Sequence, residues 1–293
     1  MLAPVLFYLF IYPITLLPFR VIYWVSDGLF YLIYYLIPYR KSVVLTNLKN
    51  SFPEKSEKEI KSISKKFYRH FCDLIVESFK MFAVTDEQLK ERFTFRNTEA
   101  VQNQFHSQKS IILAGGHYNN WEVFAVACKM GLPHKCLALY KPLKNQWFDK
   151  KMRESRSRFG LHMWPIEKVK EMFESEKDNL TLSIFAIDQS PSKASRCHWT
   201  TFLNQETGVS FGSEKYSKGN NFPVVYGRIL KIKRGYYCLE ADLVTENPNA
   251  EPHGKILEDL TRLLEKDIIN QPEFWLWTHK RWKRKRPKEI ANV

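Results

Sequence analysis

The sequence predicts an α/β fold, a mostly parallel central sheet flanked by helices and preceded by hydrophobic membrane-anchoring helices. Three observations carry that expectation. Short apolar runs alternate with helical stretches from residue 93 to residue 269, the first 38 residues hold only two charges, and one apolar run ends on two glycines and a histidine. The 293 residues suffice for one large domain. With 44% hydrophobic and 15% aromatic residues the composition is that of a globular chain and excludes a disordered one.

From Met1 to Pro38 the chain reads "MLAPVLFYLFIYPITLLPFRVIYWVSDGLFYLIYYLIP", with Arg20 and Asp27 its only charges. The stretch is too long for a signal peptide and lacks both a basic head and a small-residue cleavage site, so it is expected to stay on the protein. Pro4, Pro13 and Pro18 interrupt it, and Tyr and Trp are scattered through it. A spanning helix and a shallow or re-entrant anchor both fit that pattern. The expected organisation is an anchor over residues 1–40 and a single α/β domain over 41–293 ending in a basic segment, on the cytoplasmic side by the positive-inside tendency.

After the anchor, Ile60, Ile63, Phe67, Phe71, Leu74, Ile75 and Phe79 recur at helical spacing and predict one long amphipathic helix from Ser56. Strands are expected near Phe93–Arg96, Ser110–Ala114, Lys135–Leu139, Leu180–Ile187, Pro223–Leu230 and Tyr236–Leu243. Helices fall between them over Asn145–Phe159, Glu167–Ser175 and Lys255–Ile269, and a further one from Phe211 feeds the strand at Pro223. Strands separated by helices in this way read as a parallel sheet.

The stretch "SIILAGGHYNNWEVFAVACKMG", Ser110–Gly131, holds the chemistry. Ligands of parallel α/β sheets gather at the carboxyl ends of strands, where His117 stands. Gly115 and Gly116 permit a sharp exit, Asn119 or Asn120 can cap the next helix, and Glu122 falls in its first turn. One reading is structural: His117 is a turn histidine bonded to backbone, and Glu122 completes a capping-box-like arrangement. The other is catalytic. Glu122 accepts a bond from one ring nitrogen of His117, and the other nitrogen serves as a general base. The positive helix end would keep that imidazole neutral near pH 7. No Ser or Cys stands beside it as a nucleophile, so the attacking group would be a substrate hydroxyl, and the chemistry a direct transfer to an alcohol.

"GGHYNNWE" resembles the HxxxxE/D motif of membrane-associated acyltransferases, and in its "GHxxNWE" form the late acyltransferases of lipid A biosynthesis, the lauroyl and myristoyl transferases. "NLKNSFPEKS" from Asn47, "LYKPLKNQWFD" from Leu139, "RSRFG" from Arg156, "AIDQSP" from Ala186 and "PEFWLWTHKRWKRKRP" from Pro272 resemble further blocks of that family, in family order, across nearly the whole chain. The resemblance implies a glycerolipid-acyltransferase-like fold. It also implies an acyl carrier protein thioester as co-substrate with no other cofactor, and a lipid A precursor hydroxyl as acceptor at the bacterial inner (plasma) membrane. By it His117 is the base, Glu122 its orienting acid, and Arg156 and Asp188 further polar residues of the site. Where many members read "YRP", this chain has Lys141, which keeps the charge of arginine without its planar fork.

The formal charge of +14, from 45 Lys and Arg against 31 acids, suits a partner that carries phosphates or an acidic protein. Arg153, Arg156 and Arg158 lie on the helix expected from Asn145 and are candidates, with Lys141, Asp188 and Gln189, to bind acceptor phosphate or the donor's phosphopantetheine. The segment "HKRWKRKRPK", His279–Lys288, sets seven cations around Trp282. No nucleic-acid module precedes it, so nucleic acid is not expected as a partner, and anionic head groups or the acidic carrier suit it better. Five cysteines without a CxxC pair suggest free thiols in a reducing compartment and no metal site. Two alternatives stay open: an acyltransferase acting on a lyso-aminolipid or lysophospholipid, and a non-enzymatic basic membrane-bound protein.

Overall fold

The computed structural model describes residues 2–287, so Met1 and the last cation of the basic segment, Lys288, lie outside the described residues. Its N-terminal stretch is a chain of short helices. Helix α1 (Leu2–Leu6) passes through a π-helical turn at Phe7–Ile11 into α2 (Tyr12–Leu16), which stops at an extended Leu17 because Pro18 follows. Helix α3 (Phe19–Tyr31) runs on through a second π-helical turn at Leu32–Leu36, and α4 (Lys41–Ser51) then turns away by 85°. Among the described residues no single helix is long and apolar enough to cross a membrane; Phe19–Leu36 and Lys41–Ser51 together form one bent candidate pair.

Helix α5 (Glu57–Lys80) opens on a capping box in which Ser56 and Glu59 satisfy each other's backbone N–H groups. Helix α3 lies along it. Phe19, Ile22, Ser26 and Phe30 of α3 are buried, while Trp24 and Tyr31 on the other side are 73% and 56% exposed. Polar bonds fix the pairing: Ser26 Oγ donates to Asp73 (2.8 Å), Tyr23 Oη to Glu77 (2.8 Å), and Arg234 spans Asp27 and Asp73 (2.7 Å each). Helix α3 thus has one face docked on the domain and the other presenting aromatic and aliphatic side chains.

The rest of the chain alternates: α6 (Asp86–Arg92), β1 (Phe93–Phe95), α7 (Glu99–His106), β2 (Ile111–Gly115), α8 (Trp121–Gly131), β3 (Lys135–Tyr140), α9 (Gln146–Ser157), β4 (His162–Pro165), α10 (Val169–Ser175) and β5 (Thr181–Ala186). A hairpin of β6 (Cys197–Phe202) and β7 (Gln205–Ser210) follows, then α11 (Gly212–Asn220), β8 (Val224–Lys233), β9 (Tyr236–Thr245) and α12 (Lys255–Asn270). Seven strands form one sheet in the order β1-β9-β8-β2-β5-β3-β4, parallel throughout except for the β8–β9 hairpin.

Strand β2 sits at the centre of this sheet with both faces covered, so it reads as a continuous apolar run rather than an alternating one. Its side chains still divide by pleat. Ile111 and Leu113 enter one core with Val123, Phe124 and Val225, and Ile112 and Ala114 enter the other with Tyr226, Leu260 and Trp275. Phe19 and Ile22 belong to the first core and Phe30 and Tyr34 to the second, so the apolar N-terminal stretch contributes to both. Helices α4, α6 and α7 lie outside the sequence expectation, and so do strand β4 and the β6–β7 hairpin. The edge strand β4 is only four residues long, and the β6–β7 hairpin turns on Leu203 and Asn204, both at positive φ. A leucine there hides the Asn-Gly or Asp-Gly signal that such turns usually show.

Candidate active site

Strands β2 and β5 are parallel neighbours with Gly115 opposite Ala186, and Ile187 N–H extends the ladder by donating to the Gly115 carbonyl (3.0 Å). Two residues on from each strand end, His117 and Asp188 therefore emerge side by side. The glycines serve close approach rather than the sharp exit expected of them. Neither has a positive φ, a Cβ at Gly115 would lie 2.6 Å from the Gly227 carbonyl oxygen of β8, and one at Gly116 would lie 2.6 Å from Leu264 of α12. The turn itself is made at Asn119, whose φ of 55° suits asparagine and whose buried amide donates to the Ile229 carbonyl (2.7 Å). Asn120 is the helix cap, accepting from Val123 N–H (3.0 Å), which makes Glu122 the second helical residue rather than the third.

The bond expected between His117 and Glu122 is not made. His117 Nδ1 lies 2.7 Å from Asp188 Oδ1, and the second carboxylate oxygen of Asp188 accepts from the His117 backbone N–H (2.8 Å) and from the Trp275 indole (2.8 Å). Glu122 is instead held by Arg156, whose Nε and Nη2 reach its two oxygens at 2.7–3.0 Å. The reason lies in the topology: the strand end delivers Asp188 directly to the imidazole, whereas the start of α8 points Glu122 at α9. Asp188, expected among the substrate-binding residues, is buried at 4% exposure and acts as the partner of the histidine.

Burial alone would push the Asp188 carboxyl up; the facing imidazole, two N–H groups of His117 and the Trp275 indole outweigh it and hold the pKa down at about 2. For His117, burial disfavours the charged ring, but the charge and hydrogen bond of Asp188, with Glu122 behind them, outweigh it against the opposing Arg156, and its pKa lies above the ordinary value. The carboxylates, rather than the helix end, therefore set the balance at this ring, and they move its pKa up where the helix end was expected to hold it down. With Asp188 ionised, Nδ1 carries the proton and donates, and Nε2 is left with its lone pair. The side-chain amide of Gln189 lies 3.2 Å from that nitrogen, and Trp121 packs edge-on against the ring at 5.1 Å.

The other expected binding residues divide. Arg156 stands at the site through its pair with Glu122, both side chains about a fifth exposed. Lys141 is exposed just past the end of β3, two strands from β2 and on the same edge of the sheet. Arg153 pairs with Asp149 (3.1 Å), which also accepts from Leu143 N–H and so shapes the loop after β3. Arg158 is occupied elsewhere, its guanidinium donating to the carbonyls of Phe82 and Val84.

Sequence reasoning gave no role at the site to Trp275, His279 or Arg281, which follow α12. Trp275 bridges to Tyr118 and bonds Asp188, His279 Nε2 accepts from Ser190 N–H (3.1 Å), and Arg281 is buried at 2% exposure. Asn47 ties this segment down by donating to the Trp277 and His279 carbonyls, so the sequence blocks from Asn47 and Pro272 meet in space. The available signal was compositional: three Trp within eight residues of a basic tail is more apolar surface than a solvated tail needs.

Known proteins resemble the chain as a whole. Residues 3–284 match the family described as bacterial lipid A biosynthesis acyltransferase. The lipid A biosynthesis palmitoleoyltransferase of Escherichia coli (strain K12) is 20% identical over 246 residues, 83% of this chain and 79% of the relative. The lipid A biosynthesis acyltransferase of Haemophilus influenzae is 23% identical over 247 residues, covering 83% and 78%. The lipid A biosynthesis lauroyltransferase of Escherichia coli (strain K12) is 22% identical over 273 residues, covering 91% and 87%.

Proposed function

Because the chain belongs to the bacterial lipid A biosynthesis acyltransferase family, we propose that it moves a fatty acyl chain from an acyl carrier protein thioester to a hydroxyl of a lipid A precursor. His117 is the general base, and the reaction takes place at the cytoplasmic face of the inner membrane. The observation that carries this reading is the His117–Asp188 pair, which leaves Nε2 as the basic nitrogen at the mouth of the parallel strands. Asp188, rather than Glu122, orients the base.

In this reading Nε2 takes the proton of the acceptor hydroxyl as its oxygen attacks the thioester carbonyl carbon. The tetrahedral adduct then collapses, the carbon–sulfur bond breaks, and His117 returns the proton to the departing sulfur. The imidazolium formed in between is stabilised by the ionised Asp188 beside it. Arg156, held by two bonds to Glu122, offers a fixed positive charge to the developing oxyanion or to an acceptor phosphate. Lys141 and Arg153, at the rim formed by the end of β3 and by α9, bind the acidic groups of donor or acceptor, whereas Arg158 has a structural place. Residues 1–40 hold the domain to the bilayer through the exposed side chains of α1–α3.

The test is transfer from acyl carrier protein thioester to a lipid A precursor by the purified protein, followed by mass spectrometry of the acylated lipid. His117→Ala should lower turnover by about 10²–10⁴ with the fold retained. Near-normal turnover in that variant would end the mechanism, and transfer to a lysophospholipid in preference to the lipid A precursor would change the acceptor.

A further inference from the structure

The basic C-terminal segment does not lie wholly on the surface. Arg281 is buried at 2% exposure, and among the described residues its Nε and Nη1 have no hydrogen-bond partner. It stacks over the Phe202 ring at 5.9 Å and shares with Asp188 a cavity of about 10 Å³ otherwise walled by apolar groups and Thr261. That volume is about the smallest that admits a water molecule. A buried guanidinium with two unpaired nitrogens is costly, and one that shares a cavity with the carboxylate facing His117 calls for an explanation.

We propose that Arg281 is a positioning residue for the acyl transfer. Its guanidinium, joined to Asp188 across their shared cavity by bridging water, holds that carboxylate turned toward His117 Nδ1 and restrains the basicity of the imidazole. The inference rests on His117 being the base. The two neighbours of Asp188 divide the work: Trp275 fixes one oxygen by a direct bond, and Arg281 supplies the opposing charge from behind. Burial lowers the pKa of Arg281 to about 10, with the Asp188 charge working against that, so the guanidinium stays charged at neutral pH.

The charge balance around the base sets the sign of the effect. Asp188 and Glu122 favour the protonated imidazole, and Arg156 opposes it. His279, kept neutral by burial, bonds the Asp188–Ser190 loop, and Arg281 and Lys283 add positive charge near it. Removing Arg281 takes away one positive charge, so His117 should hold its proton to higher pH.

The experiment is the pH dependence of acyl transfer by the full chain in Arg281→Met and Arg281→Lys, with His117→Ala as control and thermal melting to confirm folding. Arg281→Met should move the acid limb of kcat to higher pH and lower the plateau about tenfold with KM unchanged. Arg281→Lys, which restores the charge without the fork, should return the limb to its original position and only part of the plateau. An Arg281→Met protein that melts as the parent does and keeps both limb and plateau overturns the proposal. If Arg281→Met does not fold, Arg281→Lys decides: a displaced limb or a parental plateau overturns it, and a limb in place with a lowered plateau supports it. A fully active His117→Ala would sink the base assignment instead, so the two failures are distinguishable.

Discussion

Replacing Asp188 by Asn changes one oxygen into an amide and tests the order of the site. Three N–H groups converge on the carboxylate, His117 Nδ1 at 2.7 Å and the His117 backbone and Trp275 indole at 2.8 Å. An amide nitrogen cannot accept, so if it faces the His117 backbone N–H and the Trp275 indole, those buried donors lose their acceptor, at a cost of about 1–3 kcal/mol. If the amide nitrogen faces Nδ1, the imidazole must shift its proton to Nε2, and the base is gone. The expected loss of turnover is about 10²–10⁴. The acid limb of the residual activity should move to lower pH, because the largest influence raising the His117 pKa is removed while burial remains. Steady-state transfer from acyl carrier protein thioester, measured across pH beside Glu122→Gln, is the assay. Glu122→Gln should act mainly through Arg156 and displace the limb less. If Glu122→Gln moves the limb further than Asp188→Asn, or if Asp188→Asn is as active as the parent, the assignment of the orienting acid is refuted.

Three further outcomes follow from the same geometry. In the parent, activity should be present above the raised pKa of His117 and fall as pH drops through it, so the midpoint of the acid limb of kcat/KM lies above the ordinary histidine value of about 6.5; a limb below that value contradicts the charge balance. Gly115→Ala would set a Cβ 2.6 Å from the Gly227 carbonyl oxygen and should cost about 1–3 kcal/mol in urea unfolding, and an unchanged midpoint would show that the two strands can separate freely. Ile22→Ala, at a fully buried position of α3, should cost about 2–5 kcal/mol, whereas Trp24→Ser should weaken binding to lipid vesicles and leave unfolding unchanged. A silent Ile22→Ala would mean that α3 leaves the domain in the membrane.

The sheet was legible because its central strands are short apolar runs bounded by turns, and their order of appearance requires helical crossovers. Strand β4 was not, because its four residues include a histidine and a proline at the edge of the sheet. The β6–β7 hairpin escaped because its turn residues, Leu203 and Asn204, carry a left-handed backbone without a glycine. At the site, His117 was legible from its place after β2, and Asp188 from its place after β5. Their pairing was not, because they lie 71 positions apart and only the register of two neighbouring strands brings them together. Glu122 drew attention by lying near His117 in sequence, yet a helix start directs its second residue sideways, and the acid went to an arginine two elements further on. Arg281 was read with the cations around it because a run of like charges carries no mark of which member turns inward.

The bridge between Tyr118 and Trp275 means that the loop of His117 is closed by a stretch of chain synthesised after every strand of the sheet. A chain that has emerged as far as α12 contains the residues of every strand, His117 and the apolar N-terminal helices, but Asp188 lacks the indole that fixes it and the loop of Ser190 lacks His279. The order of the chain thus places the last contacts of the His117–Asp188 pair after every strand of the sheet, so on the proposed mechanism a chain cut short after α12 would lack the groups that orient its base.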